Sequence, residues 1–544
     1  MSKTKVKNRK SKSSATKKKL KQVPDGLPSF LTDDRFFLAT TAVLALIYFI
    51  YSFFSEGFYQ QDGPGHYLNM RDFWRDPNSI MGTWAKPGFK IFYVLPALIG
   101  GVKGAQLVSA VYAALSAYLA YRVVKIFDKD VAFLAFFLAA TAHIWFNLSF
   151  RLYSEIITAL VMIAGVYWHL KDRLFLAALA FSYLGFIRME LYAVGGLYFL
   201  FLLSQKQWKA ALLTATFPLL YNIWGMINHG DPLYLLSTVL NTSASYAGSW
   251  PKMGFDHFFK FFTEISGGIQ TALLITFLFV LFLMKKKEWR YFFILFPPLI
   301  YFIIQTLFNW QAVKIGPGTG GNLRYMIIIA PLVAVMGALA FREYRKLDNK
   351  IIVLVGLGIL FFVNAFFLSY EAPAVSFTET RKWDGTIMIG LTLLLLIIPE
   401  RTLAFSKKTM ILAVLSIASL VGTVRPYPLA PEDKLMSEIA EWFEDYQKSN
   451  PSPKVLTNHT MFYYFSGKSA QEFDPPAESL NEDNILAAPK GSMLLWESHY
   501  GYRPTWNAGH VPYTYLSEKP NEFKLIKQFQ SSDKRFATLV FEKL

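Results

Sequence analysis

Thirteen apolar stretches, most of them long enough to cross a bilayer, recur between residues 36 and 424 of this 544-residue chain. A membrane-spanning helix takes about 20 mostly apolar residues, and a soluble protein would not need so many such runs. The sequence therefore predicts a mainly α-helical, polytopic membrane bundle. Its spans are predicted at 36–54, 105–124, 131–149, 154–170, 173–188, 190–204, 209–227, 268–284, 290–308, 322–341, 350–369, 386–398 and 409–424.

The basic residues predict how this bundle is oriented. Residues 1–22 hold ten Lys and Arg and no acid, which favours a disordered cytoplasmic tail over residues 1–35 rather than a nucleic-acid-binding segment. Six short loops on that side hold 18 basic residues in 44 positions, against 10 in 119 for four segments on the other side. The odd number of spans then places residues 425–544 outside. The segments predicted to be external are 55–104, 228–267, 309–321 and 370–385.

Two regions outside the spans differ from the rest of the chain in their sequence pattern. Residues 86–99 form an amphipathic piece whose length and flanking Lys, Pro and Gly favour a helix lying in the membrane interface, with an additional span as the alternative. Residues 425–544 turn polar and predict a small extracytoplasmic α/β domain that follows the transmembrane domain, 36–424. The chain has no cysteine, which excludes disulfides, thiolate metal sites and cysteine nucleophiles. The α/β domain is expected to contain a helix at 433–448 and strands at 454–457, 492–496, 523–526 and 536–541.

The first candidate for chemistry follows the first span. Asp62 stands directly before Gly-Pro-Gly, with His66 just beyond, so its carboxylate is expected in a tight turn at the membrane surface. Partial burial there can raise a carboxylate pKa into the range of a general base. The alternative is an ordinary solvated aspartate in a turn.

Two further acid–cation pairs lie at the ends of spans. Arg151 and Glu155 open the fourth span, where an unpaired buried acid would be costly; the alternative is a helix acid that favours the dipole. Arg188 and Glu190 interrupt a long apolar stretch, and residues two apart do not face each other on a helix. They therefore indicate a break between two short helices. Arg188 would bind a phosphate, and Glu190 would hold the Arg188 side chain in place. The alternative is that the two form a merely structural ion pair.

A glycine-rich stretch between residues 314 and 325 adds two more cations. It lacks the Lys-Ser/Thr ending of a nucleotide-binding loop, so it is better interpreted as an outer loop that delivers Lys314 and Arg324 to an anionic group. The alternative is a plain loop with an interface-anchoring arginine. All these acids and cations are predicted on the external side, as transfer from a phosphate-bearing lipid requires. His66, His143 and His169 lack the spacing of metal ligands.

Over residues 36–345 the chain resembles the GT-C superfamily of integral-membrane glycosyltransferases, particularly the bacterial and archaeal relatives of protein O-mannosyltransferases and aminoarabinose transferases. The resemblance rests on short motifs in a fixed order. They are Asp62, Lys-Pro-Gly at 86–88, Arg151 with Glu155, Arg188-Met-Glu190, and Asn322-Leu-Arg324-Tyr325 followed by Pro331. Asp62 has no neighbouring acid, which departs from the protein O-mannosyltransferase pattern and leaves the acceptor class open.

The resemblance implies a function for the chain in a bacterial inner membrane. A sugar, mannose or another hexose, would move with inversion from a polyprenyl-phosphate donor to a hydroxyl of a protein, glycolipid or glycan on the extracytoplasmic face. Asp62 would be the general base. Glu155 would orient the acceptor or, with Asp62, bind a divalent cation such as Mg²⁺ or Mn²⁺. The donor phosphate would be bound by Arg188, Arg324 and Lys314, with support from Glu190, His66, Arg151 and Tyr325.

Other functions remain as alternatives. A transporter or flippase of lipid-linked sugars would favour charges near the bilayer middle and internal repeats, whereas the charges here stand mainly at span ends. A polysaccharide polymerase or ligase would use an arginine-rich outer loop, and residues 228–267 contain no arginine. A non-catalytic envelope assembly protein would use the C-terminal domain to recruit a partner.

Overall fold

A computed structural model describes most of the chain. The described residues are 27–59, 61–82, 84, 86–245, 251–286, 288–313, 320–367, 382–450, 453–504 and 509–544. The basic tail before residue 27 and Lys314 lie outside them, so the predictions made for both stay predictions.

Helices occupy all thirteen ranges in which a span is predicted. In chain order they are α1 (Asp34–Tyr51), α2 (Asp62–Asp72), α3 (Pro87–Lys90), α4 (Val94–Lys125), α5 (Lys129–Ala140), α6 (His143–Leu148), α7 (Ser154–Leu170), α8 (Leu174–Ile187), α9 (Tyr192–Ser204), α10 (Trp208–Leu213), α11 (Thr216–His229), α12 (Tyr234–Ser245), α13 (His257–Lys260), α14 (Phe262–Ser266), α15 (Gly268–Leu283), α16 (Trp289–Asn309), α17 (Ala330–Tyr344), α18 (Ile351–Phe366), α19 (Lys382–Ile397), α20 (Phe405–Ala418) and α21 (Leu420–Thr423). Short 3-10 helices lie at Ser29–Thr32, Pro77–Ile80, Met189–Leu191 and Leu323–Ile329.

Six of the described helical stretches are long and apolar enough to cross a membrane unaided, and six more are apolar but shorter. The predicted span at 131–149 is two helices, α5 and α6, because the chain turns at Thr141 and Ala142. Both helices are buried among their neighbours, so their apolar composition reflects the bundle core rather than one continuous crossing. The mainly helical, polytopic class predicted from the sequence is confirmed.

The bundle core is built around α17, in which nearly every residue is buried. Helix α4 packs closely on its neighbours because small residues line its buried face: Ala110, Ala113, Ala114, Ala117 and Ala120. Small side chains let helix backbones approach each other, which is how helices associate where lipid removes the hydrophobic driving force. Large apolar side chains of α1, α11 and α18 point outward instead, as lipid-facing residues would.

The predicted interfacial helix at 86–99 takes a different form. It is the short helix α3 followed by the first turns of α4, which is broken at Gly101. Gly101 has φ 58°, a left-handed conformation that glycine adopts without a steric penalty. The turns before this break carry Leu95, Leu98 and Ile99, all exposed.

The C-terminal α/β domain contains the predicted helix and the four predicted strands. Its elements are α22 (Pro431–Ser449), β1 (Val455–Thr457), α23 (Thr460–Phe465), α24 (Glu482–Ala487), β2 (Met493–Glu497), α25 (Tyr513–Ser517), β3 (Phe523–Gln530) and β4 (Ala537–Lys543), with a 3-10 helix at Ala470–Glu472. The sheet order is β1-β2-β4-β3. Strand β1 is parallel to β2, and the other pairings are antiparallel. The parallel pair directs the carboxyl ends of β1 and β2 to one edge of the sheet.

Candidate active site

Asp62 is the first residue of α2, where a negative charge is stabilised by the helix dipole. Its side chain is 33% exposed, and its Oδ2 lies 2.5 Å from Nη2 of Arg324. Gly63, Pro64 and Gly65, which follow, are buried. The carboxylate is therefore fixed by a cation on one side and accessible to a small molecule on the other.

Arg324 joins two carboxylates. It lies on the 3-10 helix Leu323–Ile329, whose start is capped by Asn322: the backbone N–H of Arg324 donates to Oδ1 of Asn322 at 3.1 Å. Its side chain is 4% exposed, and its Nε lies 3.3 Å from Oε1 of Glu155. The guanidinium also stands over the ring of Tyr153, 4.5 Å from the ring centre. Arg324 thus links Asp62 to a second, buried acid.

Glu155 in the first turn of α7 is the centre of the cluster. Its side chain is 1% exposed, and Nη1 of Arg188 lies 2.9 Å from its Oε1. Nε of Arg188 is in turn 2.7 Å from Oε1 of Glu190, which also accepts a hydrogen bond from Nε2 of Gln305 at 3.0 Å. Buried charges persist when they are paired and hydrogen-bonded in this way.

The break predicted at Arg188 is confirmed. Helix α8 ends at Ile187, Arg188 is extended with φ −144°, and a 3-10 helix begins at Met189. This kink lets Arg188 pair both with Glu190, two positions away in the chain, and with Glu155.

Lys86 belongs to the same cluster, although from the sequence it was placed in an interfacial segment and in the Lys-Pro-Gly motif with no role predicted for it. Its Nζ donates to Oγ of Ser154 at 3.2 Å, and Nη1 of Arg188 donates to the same oxygen at 3.2 Å. Burial, together with the positive charge of Arg188, lowers the pKa of Lys86 to about 8. Lys86 precedes Pro87 at the start of α3 and has φ 56°. A lysine directly before a helix-starting Pro-Gly is the signal that was available, but it does not identify Ser154 as the partner.

No family model matches the sequence, and a comparison with curated proteins found no match. Among solved structures, ArnT from Cupriavidus metallidurans bound to undecaprenyl phosphate superposes with a TM-score of 0.57 at 12% identity, over 92% of this chain and 97% of that one. The apo state of the same ArnT gives 0.57 at 11% identity, over 93% and 97%. The chain has the ArnT fold. An apo oligosaccharyltransferase from Archaeoglobus fulgidus gives 0.41 at 12% identity, over 79% of this chain and 63% of that one.

The GT-C fold predicted from the sequence is thus confirmed by its likeness to ArnT.

Tyr325, which was predicted as a supporting residue, contacts both arginines of the cluster. Its ring is 4.9 Å from the guanidinium of Arg188 and 5.4 Å from that of Arg324, so one aromatic ring contacts both cations. Cation–π contact of this kind favours the charged form of arginine in a buried site.

His66 and Arg151, also predicted as supporting residues, have other contacts. The buried His66 ring lies against Trp84, with ring centres 4.6 Å apart, and burial lowers its pKa well below the ordinary value. Arg151 donates to the backbone oxygen of Gly57 and, at 3.1 Å, to Oγ of Ser55. It therefore fastens the chain that leads to Asp62, and the supporting role predicted for it stays a prediction.

A divalent cation between Asp62 and Glu155 stays a prediction. Both acids have carboxylate oxygens within ion-pair distance of Arg324. A metal ion bound to both would therefore have to displace this guanidinium.

The C-terminal domain holds the residue directly before Asp62. Nε2 of Gln61 donates to Oε1 of Glu432 and to Oδ1 of Asp433, both at 2.9 Å. Oε1 of Gln61 accepts from the hydroxyl of Tyr500 at 2.9 Å. Burial raises the pKa of Asp433 to about 6. The start of α2 is thus positioned by side chains of the C-terminal domain.

Proposed function

We propose that the protein is a membrane glycosyltransferase that moves a sugar, mannose or another hexose, from a polyprenyl-phosphate donor to an acceptor hydroxyl, with inversion. The observation that carries this proposal is the meeting of Asp62, Arg324, Glu155 and Arg188 in one ion-pair cluster. A proton acceptor that is partly exposed and a buried set of cations are what such a transfer needs at one place. The ArnT fold, solved with undecaprenyl phosphate bound in one relative, supports a lipid-linked donor.

Asp62 is the general base in this proposal. Its carboxylate takes the proton of the acceptor hydroxyl while that oxygen forms a bond to the anomeric carbon of the sugar. The bond between the same carbon and the phosphate oxygen breaks, and its electron pair leaves on the polyprenyl phosphate. Because attack and departure occur on opposite faces of the carbon in a single displacement, the configuration is inverted.

The cations stabilise the leaving phosphate. Arg188, Arg324 and Lys86 stand on the side of the cluster that also holds Glu155. Nη1 of Arg324 is buried, and within the described part of the chain no atom accepts a hydrogen bond from it. A phosphate oxygen supplies this acceptor. Glu155 and Glu190 hold the guanidinium groups in place, because a buried arginine without a carboxylate partner is unstable. Lys314 is proposed as a further phosphate contact from the sequence alone.

The orientation and location proposed from the basic residues complete this picture. The cluster would lie at the extracytoplasmic face of a bacterial inner membrane, where cytosolic nucleotide sugars do not reach and a lipid carrier does. Membrane lipids and an acceptor protein, glycolipid or glycan are the other proposed partners.

Transfer in reconstituted membranes tests the proposal. The full chain is placed in liposomes with a panel of labelled polyprenyl-phosphate sugars, and lipid and protein products are separated. We expect one donor to give product with the native chain and none with Asp62→Asn. Asp76→Asn is the matched control, since Asp76 is exposed in the same segment and asparagine retains its capping of the 3-10 helix Pro77–Ile80. Equal turnover in Asp62→Asn and the control would remove Asp62 from the reaction; no turnover of any donor, with a donor carried intact across the bilayer, would indicate a transporter.

A further inference from the structure

Three side chains of the C-terminal domain converge on one point beside Gln61. Glu432 lies in the first turn of α22, His459 caps the start of α23, and His499 follows β2. Nε2 of His459 is 3.0 Å from Oε1 of Glu432, and Nδ1 of His499 is 2.8 Å from the same oxygen. One atom from each residue lies within 4.8 Å of the others.

The sheet explains why the two histidines meet. Strands β1 and β2 are parallel neighbours, with Thr457 opposite Leu495. Their carboxyl ends therefore lie at one edge of the sheet, and the chain that leaves each strand carries a histidine to this edge. Helix α22 begins there and contributes Glu432 from its first turn. The residues come from three separate segments, so the convergence is a property of the domain fold.

The arrangement holds more nitrogen atoms than one oxygen can serve. Oε1 of Glu432 has His459, His499 and Gln61 nitrogens within 3.0 Å. A carboxylate oxygen has two lone pairs and accepts two well-directed hydrogen bonds. Three nitrogens around one oxygen indicate a local excess of donors and ligands, which a cation bound among them would organise.

We propose that Glu432, His459 and His499 bind one divalent transition-metal ion, for which Zn²⁺ is the best match. Two imidazoles and one carboxylate are a ligand set that zinc accepts, with water completing a tetrahedron. Zinc–nitrogen distances of about 2.0–2.1 Å place tetrahedral ligand atoms about 3.3 Å apart. The Glu432 oxygen would move a few tenths of an ångström from each imidazole nitrogen, and the two nitrogens, which lie within 4.8 Å of each other, would adjust to the same spacing.

The ring of His459 is the part of the site that rearranges. Its Nδ1 accepts from the backbone N–H of Met461 at 3.2 Å, which aims Nε2 at Glu432. When Nε2 binds a metal, a neutral ring carries its proton on Nδ1, so this capping contact is given up. His499 is the better residue to substitute, because its side chain is 36% exposed whereas that of His459 is fully buried.

The bound ion would clamp α22 to the sheet edge at the point where the domain holds Gln61. Glu432 would bind the ion and also accepts a hydrogen bond from Gln61, the residue directly before Asp62. The ion is therefore a positioning element for the start of α2, distinct from a cation between Asp62 and Glu155. Its binding is independent of whether the proposed glycosyl transfer is correct.

Zinc binding to the untagged full chain tests the site. The protein is stripped with a chelator, and Zn²⁺ alone is titrated in competition with a chromophoric chelator. We expect one tightly bound equivalent in the native chain, and its loss in His499→Ala and in Glu432→Gln. His510→Ala is the matched control, as a partly buried histidine of the same domain outside the cluster, and it should bind zinc as the native chain does.

Cobalt provides a second measurement in the same samples. Tetrahedral Co²⁺ bound by two imidazoles and a carboxylate gives visible absorption bands, which should appear in the native chain and in His510→Ala and disappear in His499→Ala. Circular dichroism and the melting temperature of metal-free protein establish that each variant is folded. Zinc binding of equal affinity in native, His499→Ala and Glu432→Gln protein, or no tight equivalent in the native chain, overturns the proposal.

Discussion

Glu155 and Asp62 both pair with Arg324, but their substitutions should have different effects. Glu155→Gln should lower the stability of the protein, whereas Asp62→Asn should lower sugar transfer. Glu155 is 1% exposed and contacts Arg188 at 2.9 Å and Arg324 at 3.3 Å. Glu155→Gln removes the charge that both guanidinium groups face, while their other partners, Glu190 and Asp62, remain. Loss of the sole partner of a buried charge costs about 3–5 kcal/mol, and the acids that remain beside Arg188 and Arg324 should keep the cost of Glu155→Gln below that range. We therefore expect a clear fall in the melting temperature.

The free energy of unfolding lost in Glu155→Gln should depend on whether Arg188 is present. In Arg188→Met, an apolar side chain of similar length replaces the cation. The double variant Glu155→Gln/Arg188→Met then lacks both the acid and one of its two cations, so it should be less destabilised than the sum of the single changes. For residues in direct contact, this coupling is about 0.5–3 kcal/mol.

Thermal unfolding in detergent, followed by tryptophan fluorescence, measures all four chains of this cycle. Reversibility, or agreement between two heating rates, is required before free energies are compared. A melting temperature of Glu155→Gln equal to that of the native chain would refute the argument that Glu155 compensates two buried cations. Strict additivity in the cycle would refute direct coupling between Glu155 and Arg188.

Three further outcomes are expected. Asp62→Asn should lower transfer by about 10²–10⁴-fold, the usual contribution of a general base, with a nearly unchanged melting temperature because the side chain is 33% exposed; a large fall in stability would show a structural role instead. The positive charge of Lys86 is present below its pKa of about 8 and lost above it, so the KM for the donor should rise as the pH passes 8. Lys86→Arg should abolish that rise, and the same pH dependence of KM in both chains would exclude Lys86 from donor binding. Gly57→Ala should lower the melting temperature, because a Cβ there would lie 2.0 Å from the backbone oxygen of Pro428, whereas Gly100→Ala, with no atom within 4 Å of the added Cβ, should not; equal melting temperatures would contradict the packing between these segments.

The sequence predicted much of the bundle because apolar composition is a local signal. It also indicated the break at Arg188, since two charges within an apolar run are incompatible with one lipid-exposed helix. It did not indicate that the span at 131–149 divides into α5 and α6. Both halves are buried and mainly apolar, and the sequence between them, Thr141-Ala142-His143, contains no Gly or Pro that would mark a turn.

The candidate site was predictable to the extent that its residues carry charge at span ends. Asp62, Glu155, Arg188 and Arg324 were all selected in this way, and the structure brings them together. Lys86 was missed as a member because its contact with Ser154 joins positions 68 residues apart, and nothing near Lys86 in the sequence specifies that partner. The supporting roles predicted for His66 and Arg151 stay predictions, because their contacts with Trp84 and with Ser55 and Gly57 do not test those roles.

The cluster of Glu432, His459 and His499 could not be predicted from the spacing of residues in the sequence. Metal sites are recognised in sequences when ligands lie a few residues apart on one helix or turn. Here the three ligands are separated by 27 and 40 positions and meet only through the parallel pairing of β1 and β2. A sequence examined in local windows does not reveal ligands that the topology of a sheet brings together.

The hydrogen bonds of Gln61 have a consequence for engineering this protein. Its side-chain amide joins positions 371 and 439 residues distant in the chain. A hybrid that carries the helical part of this protein and the C-terminal domain of a relative would lose the hydrogen bonds at Gln61. Grafts should therefore transfer Glu432, Asp433 and Tyr500 as a set with residue 61, so that the seam between the pieces does not pass through the residue adjoining Asp62.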